Sequence, residues 1–352
     1  MEKLFTLRTV EDTFRIHEFV KDNQPKSVVL AGGGFISLEL AENLHELGLQ
    51  VTIVQRPRQL MSPLDPEMAA FVHAKMRKKG IRLMLGYSVE GFQEKEDKVQ
   101  VLLKDEESLS ADMVVLAIGV TPDTFLAREA GLELGIKGSI VVNDRMETSV
   151  PDIYAVGDAI QVKHAVTGKD AVISLAGPAN KQGRIAADNI CGLDSHYMGA
   201  QGSSVIKLFD MTIASTGINE KTAKSEGISC DKIYLSPMNH AGYYPGGKVM
   251  SMKLLFEKET YRLLGAQIVG YEGVDKRIDV LATAIHTNMT AVQLKDLDLA
   301  YAPPYSSAKD PVNMAGFMAD NLSRNVYRQF FLEDLETLPR DGSVTLLDTR
   351  TV

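Results

Sequence analysis

The sequence is short of the residues that mark several protein classes. It has no tryptophan, and its two cysteines, Cys191 and Cys230, stand far apart in neither a CxxC nor a metal-type spacing. A disulfide scaffold and a cysteine-based metal centre are therefore not predicted, and a reducing compartment suits this cysteine content. No apolar run approaches the length that spans a bilayer, and the first residues show no apolar segment of the secretory kind. We expect a cytoplasmic protein with no membrane contact and no metal site.

Positive charge is not in excess either. Lys and Arg together number 38 against 46 Asp and Glu, which gives a formal net charge of −8. This balance disfavours a polyanion-binding surface, so nucleic acid is not an expected partner. With 45% hydrophobic and 24% charged residues, the composition is that of an ordinary globular protein. At roughly 150 residues per domain, a chain of 352 residues predicts about two domains.

The clearest structural unit follows Pro25. Residues Ser27–Ala31 form a β-branched apolar run that enters a glycine turn, which is the pattern of a buried strand. Residues 35–47 place apolar side chains at helical spacing before Gly48, and residues 51–54 form a second apolar run. A strand, a glycine turn, a helix and a second strand within about thirty residues predict one parallel βαβ unit.

The glycine turn has the GxGxxG pattern, with Ser37 in the last place. Gly32 would make the tight turn, and Gly34 would let the backbone approach a pyrophosphate. The N-terminus of the following helix would offer unpaired N–H groups to that anion. Because the pattern lies after a strand and opens a helix, it indicates a dinucleotide site; the alternative is a glycine turn that binds nothing.

The end of the second strand should hold the residue that reads the cofactor's ribose. Gln55 lies there, 23 positions after Gly32, near the ~20 expected for a carboxylate that selects NAD. Arg56 and Arg58 follow and could pair with the 2′-phosphate of NADP in forked geometry. They could equally be solvated loop arginines, so NADH and NADPH both stay open.

Apolar runs and helix-breaking residues predict the remaining elements. In the first half we predict helices over 66–79 and 178–191 and strands over 81–85, 88–92, 99–103, 113–118 and 153–156. In the second half we predict strands over 204–208, 212–217, 232–235, 249–256, 262–269 and 344–347 and helices over 275–288 and 311–327. The first half is typical of an α/β fold and the second of an α+β fold.

A series of stretches carries a resemblance to a known family. They are, in order, GGGFISLELAENL, VVLAIGVTPDT, TSVPDIYAVGDA, SLAGPANKQGRIAADNI, FDMTIASTGINE, HAGYYPG and APPYSSAKDPVNMAG. Together they resemble the flavin-dependent pyridine nucleotide-disulfide oxidoreductases, most closely the coenzyme A-disulfide reductase and NADH oxidase/peroxidase branch. The resemblance implies a Rossmann-like NAD(P)-binding domain inserted in a partial FAD domain, followed by an α+β dimerisation domain.

The resemblance also divides the chain. Residues 1–23 would be a remnant of the FAD-binding domain or a linker, 24–146 the NAD(P)-binding domain, and 147–198 the C-terminal part of the FAD-binding domain. Residues 199–328 would form the dimerisation domain. Residues 329–352 would be a linker and the start of a truncated rhodanese-like domain, with VTLLDTR as its first strand.

The family pattern assigns two cofactor sites. The NAD(P)H site would include Gly32, Gly34, Phe35, Ile36, Glu39, Gln55, Arg56 and Gly119, with Phe35 as an aromatic gate and Glu39 beside the nicotinamide. The FAD site would include Gly157, Asp158, Leu175, Ala176 and Gly177, with Asp158 on the ribityl chain. The helix that opens near Ala176 would direct its positive end at the electron-rich side of the flavin ring. Without the family, Phe35 is a core residue and Glu39 a solvated one.

Two tyrosine-bearing motifs hold the expected catalytic residues. By resemblance, Tyr243 and Tyr301 would reach across a homodimer to the redox cysteine, where a phenol can stabilise a thiolate by hydrogen bonding. The implied substrate is coenzyme A disulfide or a similar small disulfide or persulfide. Tyr244 and Tyr305 lie in the same motifs, and aromatic residues beside prolines more often serve loop packing.

The sequence departs from the family in one respect that bears on chemistry. It contains neither the glycine motif of the family's first FAD-binding fold nor a cysteine where the redox cysteine belongs. We therefore expect an incomplete chain that binds nicotinamide nucleotide weakly, holds little FAD and is inactive alone. Two alternatives are an NADH oxidase or peroxidase and a non-catalytic nucleotide-binding dimerisation module.

Overall fold

The computed structural model describes residues 1–347, and its first part is a parallel α/β unit. The strands of this part are β1 (Leu4–Thr6), β2 (Ser27–Ala31), β3 (Gln50–Gln55), β4 (Arg82–Leu85), β5 (Val89–Lys95), β6 (Lys98–Leu103), β7 (Leu109–Ala111) and β8 (Met113–Leu116). The helices are α1 (Val10–Asn23), α2 (Phe35–Glu46), α3 (Pro66–Lys78) and α4 (Phe125–Glu129). This part contains the predicted βαβ unit as β2, α2 and β3.

A five-stranded parallel sheet forms the centre of this unit, in the order β1-β8-β2-β3-β4. Parallel strands need helical crossovers, and α1, α2 and α3 supply them. A separate three-stranded antiparallel sheet, β5-β6-β7, connects β4 to β8. The carboxyl ends of β2, β3 and β8 therefore meet at one edge of the parallel sheet, where ligands bind in open α/β folds.

A smaller unit follows, with β9 (Val162–Lys163), β10 (Asp170–Ala171) and α5 (Ala176–Ile190). Its core is a separate apolar cluster that includes Ala127, Met146, Ile160 and Ala186. Residues 127–146 thus pack with this unit rather than with the parallel sheet. At the other end, β1 pairs with β8, so residues 1–23 contribute to the parallel sheet. Both observations differ from the predicted limits at residues 24 and 146.

The last part is an antiparallel sheet covered by helices. It contains β11 (Ser204–Leu208), β12 (Met211–Gly217), α6 (Glu220–Ser225), β13 (Cys230–Leu235), β14 (Ser251–Glu257), β15 (Leu263–Gly270), α7 (Val274–His286) and α8 (Pro311–Ser323). The strand order is β11-β12-β15-β14-β13. All residues of β15 are buried because helix α7 packs against the central strands and α3 of the parallel unit contacts β15 as well. The predicted fold, α/β followed by α+β, is confirmed.

Two predicted strands do not form. Residues 153–156 make only an isolated bridge between Tyr154 and Glu147, because a left-handed residue, Asp152 (φ 63°), and Gly157 (φ 81°) turn the chain on either side. Residues 344–347 are exposed and have no regular structure, and the rest of the VTLLDTR stretch lies outside the described residues. The last helix also ends at Ser323 rather than at residue 327.

Candidate functional site

The glycine turn after β2 leaves no space for a side chain at its first residue. Gly32 has φ +121°, a conformation that side chains rarely allow, and a β-carbon there would lie 2.1 Å from the carbonyl oxygen of Ala117. The Gly32 N–H donates to the carbonyl of Val54 at 2.8 Å. The ends of strands β2, β3 and β8 are therefore in contact at this glycine.

Helix α2 begins at this turn with its N-terminus open. Gly34 is the N-cap residue and provides no side-chain cap, and no atom lies within 4 Å of the position its β-carbon would take. The first N–H groups of α2 therefore have no side-chain cap at Gly34, and an uncapped helix N-terminus suits an anion such as a pyrophosphate. Ser37 is fully buried, as expected for a small residue in the last place of the motif, and its hydroxyl has no hydrogen-bond partner.

The end of β3 also lies at the turn. A β-carbon at Gly33 would come within 3.1 Å of the Gln55 side chain, so Gln55 packs beside the glycine turn. Arg56 is exposed in the next position, and the Arg58 side chain lies against Gly86 instead. Both arginines predicted as phosphate partners are exposed, and Arg56 directly follows Gln55 at the end of β3.

The predicted nicotinamide side of this edge is apolar and open. Gly119 follows β8 and is exposed, Phe35 is half-buried at the start of α2, and Ile36 and Glu39 on the same helix are exposed. Sequence reasoning missed Ile118 and Val120, which flank Gly119 and are 77% and 67% exposed. A signal was present in the sequence, because the apolar run that predicts this strand continues to residue 118. The strand itself ends at Leu116, so the last apolar residues of the run lie beyond its end.

The smaller unit brings its predicted flavin-binding residues together. Gly157 donates its N–H to the side-chain oxygen of Gln182 at 2.7 Å, and Gln182 is a buried residue of α5. This bond holds the turn that carries the exposed Asp158 against the helix. Helix α5 begins at Ala176, after the N-cap residue Leu175, with no side-chain cap. Gln182 was not predicted, because a buried glutamine on a helix has no local signature.

The two predicted tyrosines meet on the antiparallel unit. The hydroxyl groups of Tyr243 and Tyr301 are 2.9 Å apart, although 58 residues separate them in the chain. The side chains are 76% and 45% exposed, so the pair is accessible to another molecule. The hydrogen bond with Tyr243 raises the pKa of the Tyr301 phenol. Tyr301 therefore stays protonated at neutral pH, and either phenol can be the donor of this bond.

Comparison with known proteins decides the family. The Pyridine nucleotide-disulphide oxidoreductase family matches residues 1–183, and the dimerisation domain of that family matches residues 203–311. This chain belongs to the pyridine nucleotide-disulfide oxidoreductase family. The family consists of enzymes that use FAD and NAD(P)H, so the predicted enzyme class and cofactors are confirmed.

Individual relatives handle sulfur compounds. The oxidoreductase is 37% identical over 315 residues to the NAD(P)H sulfur oxidoreductase (CoA-dependent) of Pyrococcus abyssi, a match that covers 89% of this chain and 70% of that protein. It is 34% identical over 316 residues to the coenzyme A disulfide reductase of Staphylococcus aureus, covering 90% of this chain and 71% of the relative. The crystal structure of reduced CoADR-RHD from Bacillus anthracis matches with a TM-score of 0.92 and 46% identity. That match covers 95% of this chain and 60% of the solved one.

The two cysteines of this oxidoreductase lie in different units, one at the end of α5 and one in β13. Cys191 follows the helix at the end opposite Ala176, and a helix of 15 residues is about 22 Å long. Cys230 is half-buried in β13, and burial raises the pKa of its thiol, which lowers its thiolate content.

A buried ionic cluster joins the parallel and antiparallel units. The Lys253 ammonium, on β14, lies among the carboxylates of Asp65, Glu67 and Glu220, at 2.6 Å from Asp65. Asp65 also accepts a hydrogen bond of 2.7 Å from the amide of Gln267. The three carboxylates have the spacing of a cation site, but the lysine ammonium already supplies the positive charge there.

Among residues 1–347, no helix has both the length and the apolar character needed to span a bilayer.

Proposed function

We propose that this chain supplies the nucleotide-binding and substrate-contacting surfaces of an NAD(P)H- and FAD-dependent reductase. Its substrate is coenzyme A disulfide or a related low-molecular-weight disulfide or persulfide. For a disulfide, one NAD(P)H, one proton and one disulfide give one NAD(P)⁺ and two thiols, so two electrons are balanced. The observation that carries the proposal is the exposed pair of tyrosine hydroxyls on the antiparallel unit.

The nucleotide contacts follow from the space at the sheet edge. The open N-terminus of α2 at Gly34 would receive the pyrophosphate, and Gln55 and Arg56 would line the ribose. Ile118, Val120 and Phe35 would cover the apolar face of the nicotinamide. These roles are supported by the arrangement of the residues at the ends of neighbouring parallel strands.

The flavin contacts come from the smaller unit. Asp158 would accept hydrogen bonds from the ribityl hydroxyls, and the uncapped N-terminus of α5 at Leu175, Ala176 and Gly177 would stabilise negative charge on the ring. The fit rests on the Gln182 bond, which holds both elements side by side. FAD, when bound, accepts hydride equivalents and delivers electrons to sulfur.

The tyrosine pair would act at the sulfur. An O–H of Tyr243 or Tyr301 would donate a hydrogen bond to the thiolate that leaves when the S–S bond breaks, and so stabilise its charge. We place this pair against the second subunit of a homodimer, which the matched dimerisation domain supports. We divide the chain as the sequence predicts, except that β1 and α1 join the nucleotide unit and residues 127–146 join the smaller unit.

Calorimetric titration of coenzyme A disulfide into the purified chain tests the proposal. Saturable binding is expected for the wild-type chain, and a Kd raised by about 5- to 10-fold is expected for Tyr243→Phe and Tyr301→Phe, because each removes one hydroxyl hydrogen bond. Tyr261→Phe is the matched control, since Tyr261 stacks on Phe256 and packs against the core of the antiparallel unit. Absence of binding by the wild-type chain, or equal losses in all three variants, would refute the substrate assignment.

A further inference from the structure

Arg277 is the buried residue that connects the two tyrosine segments. We define the tyrosine loops as residues 239–248, which carry Tyr243, and residues 301–310, which carry Tyr301. Arg277 lies on α7, outside both loops, and is 1% exposed. A buried guanidinium needs several acceptors and a counter-charge, so what it contacts shows what it holds.

The guanidinium reaches both loops from one side chain. Its terminal nitrogen Nη2 donates to the carbonyl of Asn239 at 2.9 Å in the first loop. The same nitrogen lies 3.2 Å from the carbonyl of Tyr305 and 2.8 Å from a carboxylate oxygen of Asp310 in the second loop. Arg277 is thus the side chain through which the backbone of one loop is tied to the backbone and carboxylate of the other.

Neighbouring bonds complete the connection. The Ser306 hydroxyl donates to Asp310 at 2.7 Å, and the Ala241 N–H donates directly to the Ser306 carbonyl at 2.9 Å. The other nitrogen, Nη1, donates to the carbonyl of Gly273 at 3.1 Å, and a β-carbon at Gly273 would lie 2.3 Å from that nitrogen. Gly273 therefore leaves the space that the guanidinium fills.

We propose that Arg277 is a positioning residue that holds the two tyrosine loops in register, so that the hydroxyls of Tyr243 and Tyr301 meet. The role needs the forked guanidinium, since its separate N–H groups point to acceptors in different directions. The consequence of this inference rests on the proposed function: the phenol pair would meet the substrate sulfur in one fixed geometry. The positioning itself is a property of the chain alone.

Carbon-13 NMR of chain labelled at the tyrosine ζ carbon measures this positioning directly. The pH titration of each phenol is followed, and Tyr243→Phe and Tyr301→Phe assign the two signals. The Tyr243 bond raises the pKa of Tyr301, so Tyr243→Phe lowers the Tyr301 titration midpoint. We expect Arg277→Met combined with Asp310→Asn to lower that midpoint as far as Tyr243→Phe does.

The double variant is chosen so that the chain still folds. Arg277→Met alone would leave the buried Asp310 carboxylate with only Lys276, at 3.9 Å, as a cation. Asn at position 310 removes that charge and can still cap α8. Arg277→Lys keeps the charge but not the fork, and an intermediate midpoint is expected. Lys253→Met is the matched control. It removes another fully buried cation of the antiparallel unit, and this cation contacts neither tyrosine loop.

An unchanged Tyr301 midpoint in a folded double variant, or an equal shift in Lys253→Met, would overturn the inference. Titration of coenzyme A disulfide on the same samples separates it from the proposed function. If the double variant moves the Tyr301 midpoint while the wild-type chain fails to bind the disulfide, Arg277 positions the loops and the substrate assignment falls. If the wild-type chain binds the disulfide and the midpoint does not move, the positioning role falls alone.

Discussion

At the residue scale, the nucleotide edge depends on glycines with different tasks. Gly32 allows a close contact with the Ala117 carbonyl in a left-handed conformation, whereas Gly34 leaves open space above the start of α2. The first task concerns folding and the second concerns ligand binding. Substituting one glycine at a time therefore separates stability from affinity.

Gly32→Ala should lower the free energy of unfolding by about 1–3 kcal/mol or more, because alanine is strained at φ +121° and its β-carbon would meet the Ala117 oxygen. Gly34→Ala should change it by about 1 kcal/mol or less and should weaken NAD(P)H binding instead. Urea unfolding and nucleotide titration of both variants measure the two effects. Equal stability loss in both would contradict the separate tasks.

Arg56→Ala tests how the chain distinguishes the two nicotinamide cofactors. A guanidinium bond to phosphate contributes about 1.5–3 kcal/mol, so the Kd for NADPH should rise by roughly 10- to 100-fold while the Kd for NADH changes little. Arg58→Ala is the control, because its side chain lies against Gly86. A similar loss for NADH and NADPH in Arg56→Ala would show that Arg56 does not read the 2′-phosphate.

At the scale of elements, the sequence predicted what local patterns encode. The strands and helices of the βαβ unit and of the antiparallel sheet follow from apolar spacing and from helix-breaking residues. The segment 153–156 is predicted as a strand for the same reason, but within residues 1–347 it pairs only through the bridge between Tyr154 and Glu147. Partnerships across the chain, such as Gly157 with Gln182 or Arg277 with Asp310, leave no local pattern and required the structure.

The loop pair held by Arg277 should be sensitive to acid through Asp310. Burial raises the pKa of this carboxyl, but hydrogen bonds from Val312, Arg277 and Ser306 outweigh burial and lower the pKa below its ordinary value of 3.8. A lowered folded-state pKa contributes stability that is present above pH 3.8 and is lost as the pH falls toward the folded value. The tyrosine loops should therefore loosen in acid.

Urea unfolding of wild-type chain and Asp310→Asn at a series of pH values checks this dependence. The stability difference between the two should be constant above about pH 4 and should narrow as the pH is lowered further. Asp123→Asn, at an exposed position, is the control variant measured at the same pH values. A difference for Asp310→Asn that is independent of pH would contradict the proposed ionic role of this carboxylate.

At the scale of the whole molecule, the parallel and antiparallel units are joined by both apolar and ionic contacts. Ile206, Leu208 and Ile213 of the antiparallel sheet belong to the same apolar cluster as the parallel sheet. Lys253 adds a buried charge that is matched by carboxylates from both units. The relative position of the nucleotide edge and the tyrosine loops is therefore fixed by contacts within one chain.

Lys253→Met should lower the free energy of unfolding by about 3–5 kcal/mol, because it leaves the buried Asp65 carboxylate beside Glu67 and Glu220 without a cation. Lys163→Met, which breaks an exposed pair with Asp170, should cost about 0.5 kcal/mol or less. Thermal or urea unfolding of the two variants measures both losses of stability. Near-equal effects would mean that the Lys253 cluster does not join the units.

Equilibrium titration of the purified chain with NADH and with NADPH, followed by cofactor fluorescence, tests most directly whether this chain carries the nucleotide site of a pyridine nucleotide-disulfide oxidoreductase. We predict saturable binding of at least one nucleotide with one site per chain, and its weakening in Gly34→Ala. Binding of neither nucleotide by a folded chain, or unchanged affinity in Gly34→Ala, would contradict the account.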